Sequence, residues 1–263
     1  FIGRHIANTH TLFNILNTIV FLPLVGMLAK ISTLLIRGED VVGEFHLKFL
    51  DTRVLNTPPV ALGQARSETV RMARLAMTFL EETNRFLDHP DEQKIKELQK
   101  NEDYIDLLQK EITNFLVQLS QQSISSEVSR EIASLMHMVN DLERVGDHCE
   151  NLWELRQRAK DQKIAFSDTA KVEIAELCQL TQDFLAFVIK GLETRDKTIG
   201  LKSQQMENSI DRLEESLRNN HITRLNTGEC NVLSGLIYID MLHNFEKIGD
   251  HTFNLSEAVI GIK

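Results

Sequence analysis

"ERVGDHCENL" occupies residues 143–152, inside a run that otherwise patterns as a helix, and it returns as "EKIGDHTFNL" at residues 246–255. In register, Glu143, Gly146, Asp147, His148, Asn151, Leu152 and Glu154 meet identical residues at Glu246, Gly249, Asp250, His251, Asn254, Leu255 and Glu257. Two features that weaken a helix recur together. An interior glycine costs about 1 kcal/mol relative to alanine. Acids four residues apart share one helix face and repel by about 0.2–0.5 kcal/mol. A pattern that works against its own helix, present twice, implies a use that offsets the cost.

The preceding helices repeat as well. "EDYID" at 102–106 meets "ENSID" at 207–211, so Glu-x-x-x-Asp occurs four times, as Glu102/Asp106, Glu143/Asp147, Glu207/Asp211 and Glu246/Asp250. Around these motifs the apolar spacing predicts amphipathic helices from about residue 61 to 86, from Pro90 to about 119, and from 127 to 158. "SQQSISS" supplies N-cap candidates Ser125 and Ser126. The order then restarts: "FSDT" opens a helix over about 168–192, a second runs to about His221, "NTGE" breaks it, and a last helix reaches Ile260. Three helices, twice, is an internal duplication. The fold expected is all-α: two antiparallel three-helix bundles, at 61–160 and 161–263.

Composition agrees. With 4 prolines and 12 glycines among 263 residues and few β-branched runs, a sheet protein is disfavoured. A formal charge of −9 argues against nucleic acid and anionic lipid as primary partners. Cys149, Cys178 and Cys230 are odd in number and widely spaced, which argues against a disulfide framework or a zinc ribbon and fits a reducing compartment.

The N-terminal segment differs in kind. Residues 5–29 contain no Asp, Glu, Lys or Arg, a length sufficient for a transmembrane helix of about 20 residues. His10, Asn14, Asn17 and Thr18 fall on one face, as they would toward neighbouring helices. Lys30 and Arg37 follow the span and place its C-terminal side in the cytosol. A buried hairpin of a soluble protein is the alternative. We expect a terminal membrane helix at 1–36 and a linker at 37–60; the chain starts with Phe1 and reads as a fragment of something longer.

On two antiparallel helices, two Glu-x-x-x-Asp motifs would converge four carboxylates, the donors of an oxygen-seeking cation such as iron, manganese, magnesium or calcium. A solvated acidic face is the plainer reading of any one motif; four at duplicated positions favour the site. Gly146 and Gly249 fall at seam-like spacing and read as close-approach positions. His148 and His251 lie about 100° round the helix from the acids and read as hydrogen-bonding residues, not ligands. Cys149 faces Thr252 and reads as core. No Glu-x-x-His pair, Gly-rich phosphate loop, G-x-S-x-G or H-E-x-x-H is present, so an enzyme is not expected.

Duplicated bundles carrying "ERVGDH" and "EKIGDH" resemble the PhoU domain, and the resemblance covers about residues 61–260. Ahead of it, "GRHIANTHTLFNILNTIVFLPL" and "LDTRVLNTPPVALGQAR" resemble the end of the membrane portion and the connector of bacterial sodium/phosphate cotransporters, the Na/Pi cotransporter II-related group. The resemblance implies a cytosolic regulatory domain at the inner membrane, tuning sodium-dependent phosphate transport through the cytosolic face of its own transporter, with a homodimer allowed. It also implies two metal sites: Glu102, Asp106, Glu143 and Asp147 in one, Glu207, Asp211, Glu246 and Asp250 in the other. The alternative expectation is a stand-alone metal-binding adaptor acting on a separate phosphate transporter or sensor kinase.

Overall fold

The computed structural model describes residues 2–21 and 47–262, in two compact units, Phe1–His46 and Leu47–Lys263. In the first unit, helix α1 spans Ile2–Phe21. No helix among the described residues is long and apolar enough to cross a membrane. The expected span at 5–29 therefore finds no support among the described residues. Its described part is helical but interrupted by His10, Asn14, Asn17 and Thr18, which dilute its apolar length, and the stretch to Ala29 lies outside the described residues. The first part of the linker, 37–46, lies outside them too.

The second unit opens with a 3-10 turn at Thr52–Val54, capped by Asp51. Six helices follow: α2 Pro58–Asp88, α3 Glu92–Ser120, α4 Ser126–Asp161, α5 Asp168–Thr194, α6 Gly200–Asn226 and α7 Val232–Ile260. "NTPP" therefore ends the linker inside a helix start. Pro58 and Pro59 sit at the first helical positions, where a missing N–H costs nothing. Asp91, Ser125, Ser167 and Asn231 each cap a helix by accepting from a backbone N–H of the first turn.

Helices α2, α3 and α4 pack on one another, as do α5, α6 and α7, and the two bundles meet along α4–α7 and α2–α5. Their core consists of aliphatic and phenylalanine side chains, among them Phe79, Leu108, Ile112, Leu142, Phe184, Leu185 and Phe245, all fully buried. Burying such side chains contributes about 1.5–3 kcal/mol each. The segment before α2 is tied down by a buried charge. Glu68, fully buried, accepts from the backbone N–H groups of Lys48 (3.1 Å) and Phe49 (2.7 Å) and pairs with Arg71.

The glycines lie at the contacts their spacing suggests. A Cβ on Gly146 would meet Ile105 Cγ2 at 3.2 Å, and one on Gly249 would meet Ile210 Cγ2 at 3.2 Å. Ile105 and Ile210 immediately precede Asp106 and Asp211. Each glycine thus lets the third helix of its bundle approach the second at the level of the acids. Cys149 is buried, and burial holds its thiol well above the usual range, as a core residue requires.

Candidate metal centre

In the first bundle, carboxylate oxygens of Asp106 (α3), Glu143 and Asp147 (both α4) lie within 4.8 Å of one another. In the second, Glu207 and Asp211 (both α6) and Asp250 (α7) do the same. Six of the eight expected residues therefore come together, as two triplets. Oxygens bound to one ion at about 2.0–2.6 Å are themselves separated by at most about 4–5 Å, so each triplet is compact enough to share a cation.

Glu102 and Glu246 stand outside the triplets. The Glu102 carboxyl lies in the field of Asp106 on its own helix and of Asp147 on α4, and it belongs to neither triplet. Glu246 is held by Lys247 Nζ at 3.0 Å, with His243 Nδ1 at 3.6 Å on the other side.

The electrostatics are those of acids forced together. Burial, then Asp106 and further acids, push the Glu102 carboxyl up to about 7. Asp106 is raised by burial and by Asp147, Glu143 by burial and Asp147, Glu207 by burial and Asp211, and Asp211 by burial and Asp250. Partial neutralisation comes from Arg144, 3.0 Å from Asp147, and from Lys247, 2.7 Å from Asp250. Even so, Glu143 Oε2 is buried with no hydrogen-bond partner, and Arg144 Nε lies 3.6 Å away. An all-carboxylate donor set with an orphaned buried oxygen fits a hard cation of the iron, manganese or magnesium class.

Two features are not evident from the motif spacing. Glu150 joins the first cluster's field, and its own carboxyl is raised by burial and Glu154. Its position three residues after Asp147 is the signal that could have found it. The other is a crossed clasp between the bundles. His148 Nδ1 on α4 contacts Asn244 Oδ1 on α7 at 2.8 Å, and His251 Nδ1 on α7 contacts Asp141 Oδ1 on α4 at 2.9 Å. The two imidazoles stack with centroids 5.6 Å apart, and Asn254 Nδ2 also donates to Asp141 at 3.1 Å. Neither histidine joins a triplet. Their role is to bond one bundle to the other.

Comparison with known proteins bears on what this arrangement is. The PhoU domain model matches twice, at residues 69–155 and 174–259, and each match contains one carboxylate triplet. YjbB of Escherichia coli (strain K12), provisionally named an inorganic phosphate export protein, is 23% identical over 254 residues, covering 95% of this chain and 47% of YjbB. The chain thus spans about half the length of that relative. The phosphate-specific transport system accessory protein PhoU homolog 1 of Thermotoga maritima is 25% identical, with 75% of this chain and 85% of that protein covered. The crystal structure of PhoU from Pseudomonas aeruginosa superposes with a TM-score of 0.71 at 22% identity, over 77% of this chain and 96% of that one. PhoU from Streptococcus pneumoniae gives 0.69 at 17% identity, over 78% and 95%. With both bundles matched and more than half of the chain covered, the chain belongs to the PhoU domain family.

Proposed function

We propose that this chain is a PhoU-type regulatory domain of phosphate transport whose two carboxylate triplets hold hard cations. The observation that carries the reading is the double PhoU match at 69–155 and 174–259, with one acidic triplet inside each repeat. Relatives named as phosphate-specific transport accessory proteins, and one named for phosphate export, supply the process. A bound cation supplies positive charge between carboxylates that otherwise repel. Asp106 with Glu143 and Asp147, and Glu207 and Asp211 with Asp250, would then tie the second helix of each bundle to its third. The crossed histidine clasp holds the helices that carry Asp147 and Asp250 in one register. In this reading the rigid double bundle presents a surface to transport components and performs no chemistry on a substrate.

The adaptor reading, in which the domain acts on a separate transporter or sensor kinase, is the better supported by the accessory-protein relatives. One observation favours attachment to a transporter of its own. The YjbB alignment runs over 254 residues and so extends ahead of both PhoU matches into the N-terminal segment. In that second reading residues 1–36 contact the inner membrane, the bundles lie in the cytoplasm, and phosphate with sodium is the parent's cargo.

The test has two arms. Phosphate flux is measured in cells lacking their own PhoU-domain protein, with and without this chain. A change in flux that disappears in the Asp147→Asn/Asp250→Asn double variant supports the proposal; flux indifferent to the chain overturns the regulatory role. Elemental analysis of the purified chain tests the cation sites separately, and metal-free protein from iron- and manganese-replete cells overturns them.

A further inference from the structure

Away from the acidic triplets, two clefts of about 350 and 610 Å³ adjoin, and Arg66, Leu192 and Arg195 line both. They run from the first half of α2, past the end of α5, to the start of α4 and the end of α7. In a chain of net charge −9, this groove is cationic.

Its charges do not balance internally. Arg66 pairs with Glu131, Arg74 with Glu193 at 2.6 Å, and Arg71 with the buried Glu68. Arg130, Arg195 and Lys197 also line the groove and have no side-chain partner among the described residues; one further acid, Glu127, lines it. Arg195 is one of two non-glycine residues at positive φ among those described, at 54°, in the position that ends α5. Glycine is the usual occupant there, because an L side chain is disfavoured in that conformation. The chain instead keeps an arginine, whose guanidinium lies close enough to repel that of the half-buried Arg66; burial and this proximity both lower the Arg66 pKa.

A cleft of comparable size at the other end of the α2–α5 seam provides the contrast. About 570 Å³ in volume, it is also lined by three cations, Arg85, Arg156 and Lys171. Those are committed. Arg156 Nε donates to Leu87 O at 2.8 Å, Lys171 Nζ lies 2.8 Å from Asp168, and Arg85 lies 4.0 Å from Glu81. Lined by seven cations against Glu127, Glu131 and Glu193, the Arg66/Arg195 groove carries the larger surplus of positive charge.

From this geometry we infer that the groove binds a phosphate-bearing polyanion, with Arg66 and Arg195 clamping one phosphoryl group at the junction of the clefts and Arg130 and Lys197 meeting the next. Guanidinium forks match phosphoryl oxygens in pairs, and an anion between Arg66 and Arg195 turns their repulsion into attraction. The length of the two clefts together suits more than one phosphoryl group. Such groups occur on soluble phosphate esters and on lipid headgroups, and the chemistry of the groove is the same for both.

The probe is tripolyphosphate, titrated calorimetrically into the full chain at physiological salt in a metal-free, chelator-washed buffer, so that the carboxylate triplets play no part. Saturable binding is expected, weakened at least about tenfold by Arg195→Gly and by Arg130→Gln/Lys197→Gln, and unchanged by Lys171→Gln in the opposite cleft. Arg195→Gly suits the test because glycine accepts positive φ freely, so thermal stability should hold or rise while binding is lost. Vesicles carrying phosphatidylglycerol form the second arm. Binding to vesicles but not to tripolyphosphate, with the same dependence on Arg195, places the phosphate on a lipid and supports the inference. No binding of either probe overturns it, as does binding indifferent to Arg195→Gly, or oligoglutamate binding as tightly as tripolyphosphate.

Discussion

The two carboxylate triplets are built on the same backbone plan and sit in different fields. Around the first, Asp103 and Glu150 add charge beyond the motif, and the Glu102 carboxyl is pushed up to about 7. At the corresponding places the second has Asn208 and Phe253. The cations differ as well. Arg144 lies 3.0 Å from Asp147 and 3.6 Å from Glu143. Lys247 lies 2.7 Å from Asp250 and 3.0 Å from Glu246, and its own ammonium is stabilised by those contacts. Duplication kept the helix contact, paired glycines against paired isoleucines, but the first triplet draws two acids from the third helix of its bundle and the second draws two from the second, and surface substitutions retuned the charge. The first triplet is therefore the more acidic, and it should hold a cation more tightly.

The sharpest break in that comparison is removal of one ligand at a time. Asp147→Asn should weaken cation binding in the first bundle by about 100-fold or more and leave the second unchanged; Asp250→Asn should do the reverse. Calorimetry with manganese on both variants reads the difference directly. If both variants lose both sites, the bundles are not independent, and the comparison fails.

Packing comes next. Gly146→Leu forces a side chain against Ile105 and should cost about 1–3 kcal/mol, read from urea denaturation. The same change at Gly249, against Ile210, should cost a similar amount. The cation-binding losses should differ, each confined to the bundle that carries the substitution.

A third comparison uses pH. Glu102 has its proton held to about 7 in the folded chain against an ordinary value of 4.5, so between those values the folded state binds more protons than the unfolded one. Metal-free stability should then fall as pH rises from about 4.5 to 7, the opposite of an ordinary paired carboxylate. The same sign holds for Asp106, Glu143, Glu207 and Asp211, whose values are all raised. Glu102→Gln should flatten the slope in Tm against pH, and manganese should raise Tm more at pH 7.5 than at pH 5. His148 and His221, both lowered by burial, act in the opposite sense in this range, so the account is contradicted if Glu102→Gln leaves the slope unchanged.

The smallest effect expected is at Lys247. Its replacement by Gln removes the ammonium beside Asp250 and should tighten manganese binding in the second bundle by a few-fold. A partly exposed pair contributes about 0–1 kcal/mol. That change should narrow the gap between the triplets, and an unchanged gap would assign it to Glu150 and Asp103 instead.

Much of the fold is legible in the residues themselves. Helix starts are readable because their signals are local: Ser125 and Ser167 bond to N–H groups three residues on, and prolines tolerate only the first turn. The repeated glycines are legible as packing positions because seam spacing is a property of one helix. The limits appear where two helices must be placed together. Glu102 and Glu246 carry the same motif as their neighbours and miss the triplets, because an i, i+4 pair shares a face but the reach of each acid depends on its cross-helix partners. Expectation also exceeds observation at the N-terminus, where freedom from charge over 5–29 suggests a membrane helix, while the described part, α1 to Phe21, is not long and apolar enough to be one.

Acting alone, the sequence determined the six-helix duplication, the helix boundaries to within about five residues, and six of the acids that form the two triplets, since all of these follow from periodicities and caps a few residues long. Tertiary structure alone decided which acids meet, that His148 and His251 clasp α4 to α7 through Asn244 and Asp141, and that Arg66 and Arg195, far apart in sequence, share one groove. Those outcomes depend on how helices cross. Crossing is set by the summed packing of buried faces, which no local spacing encodes.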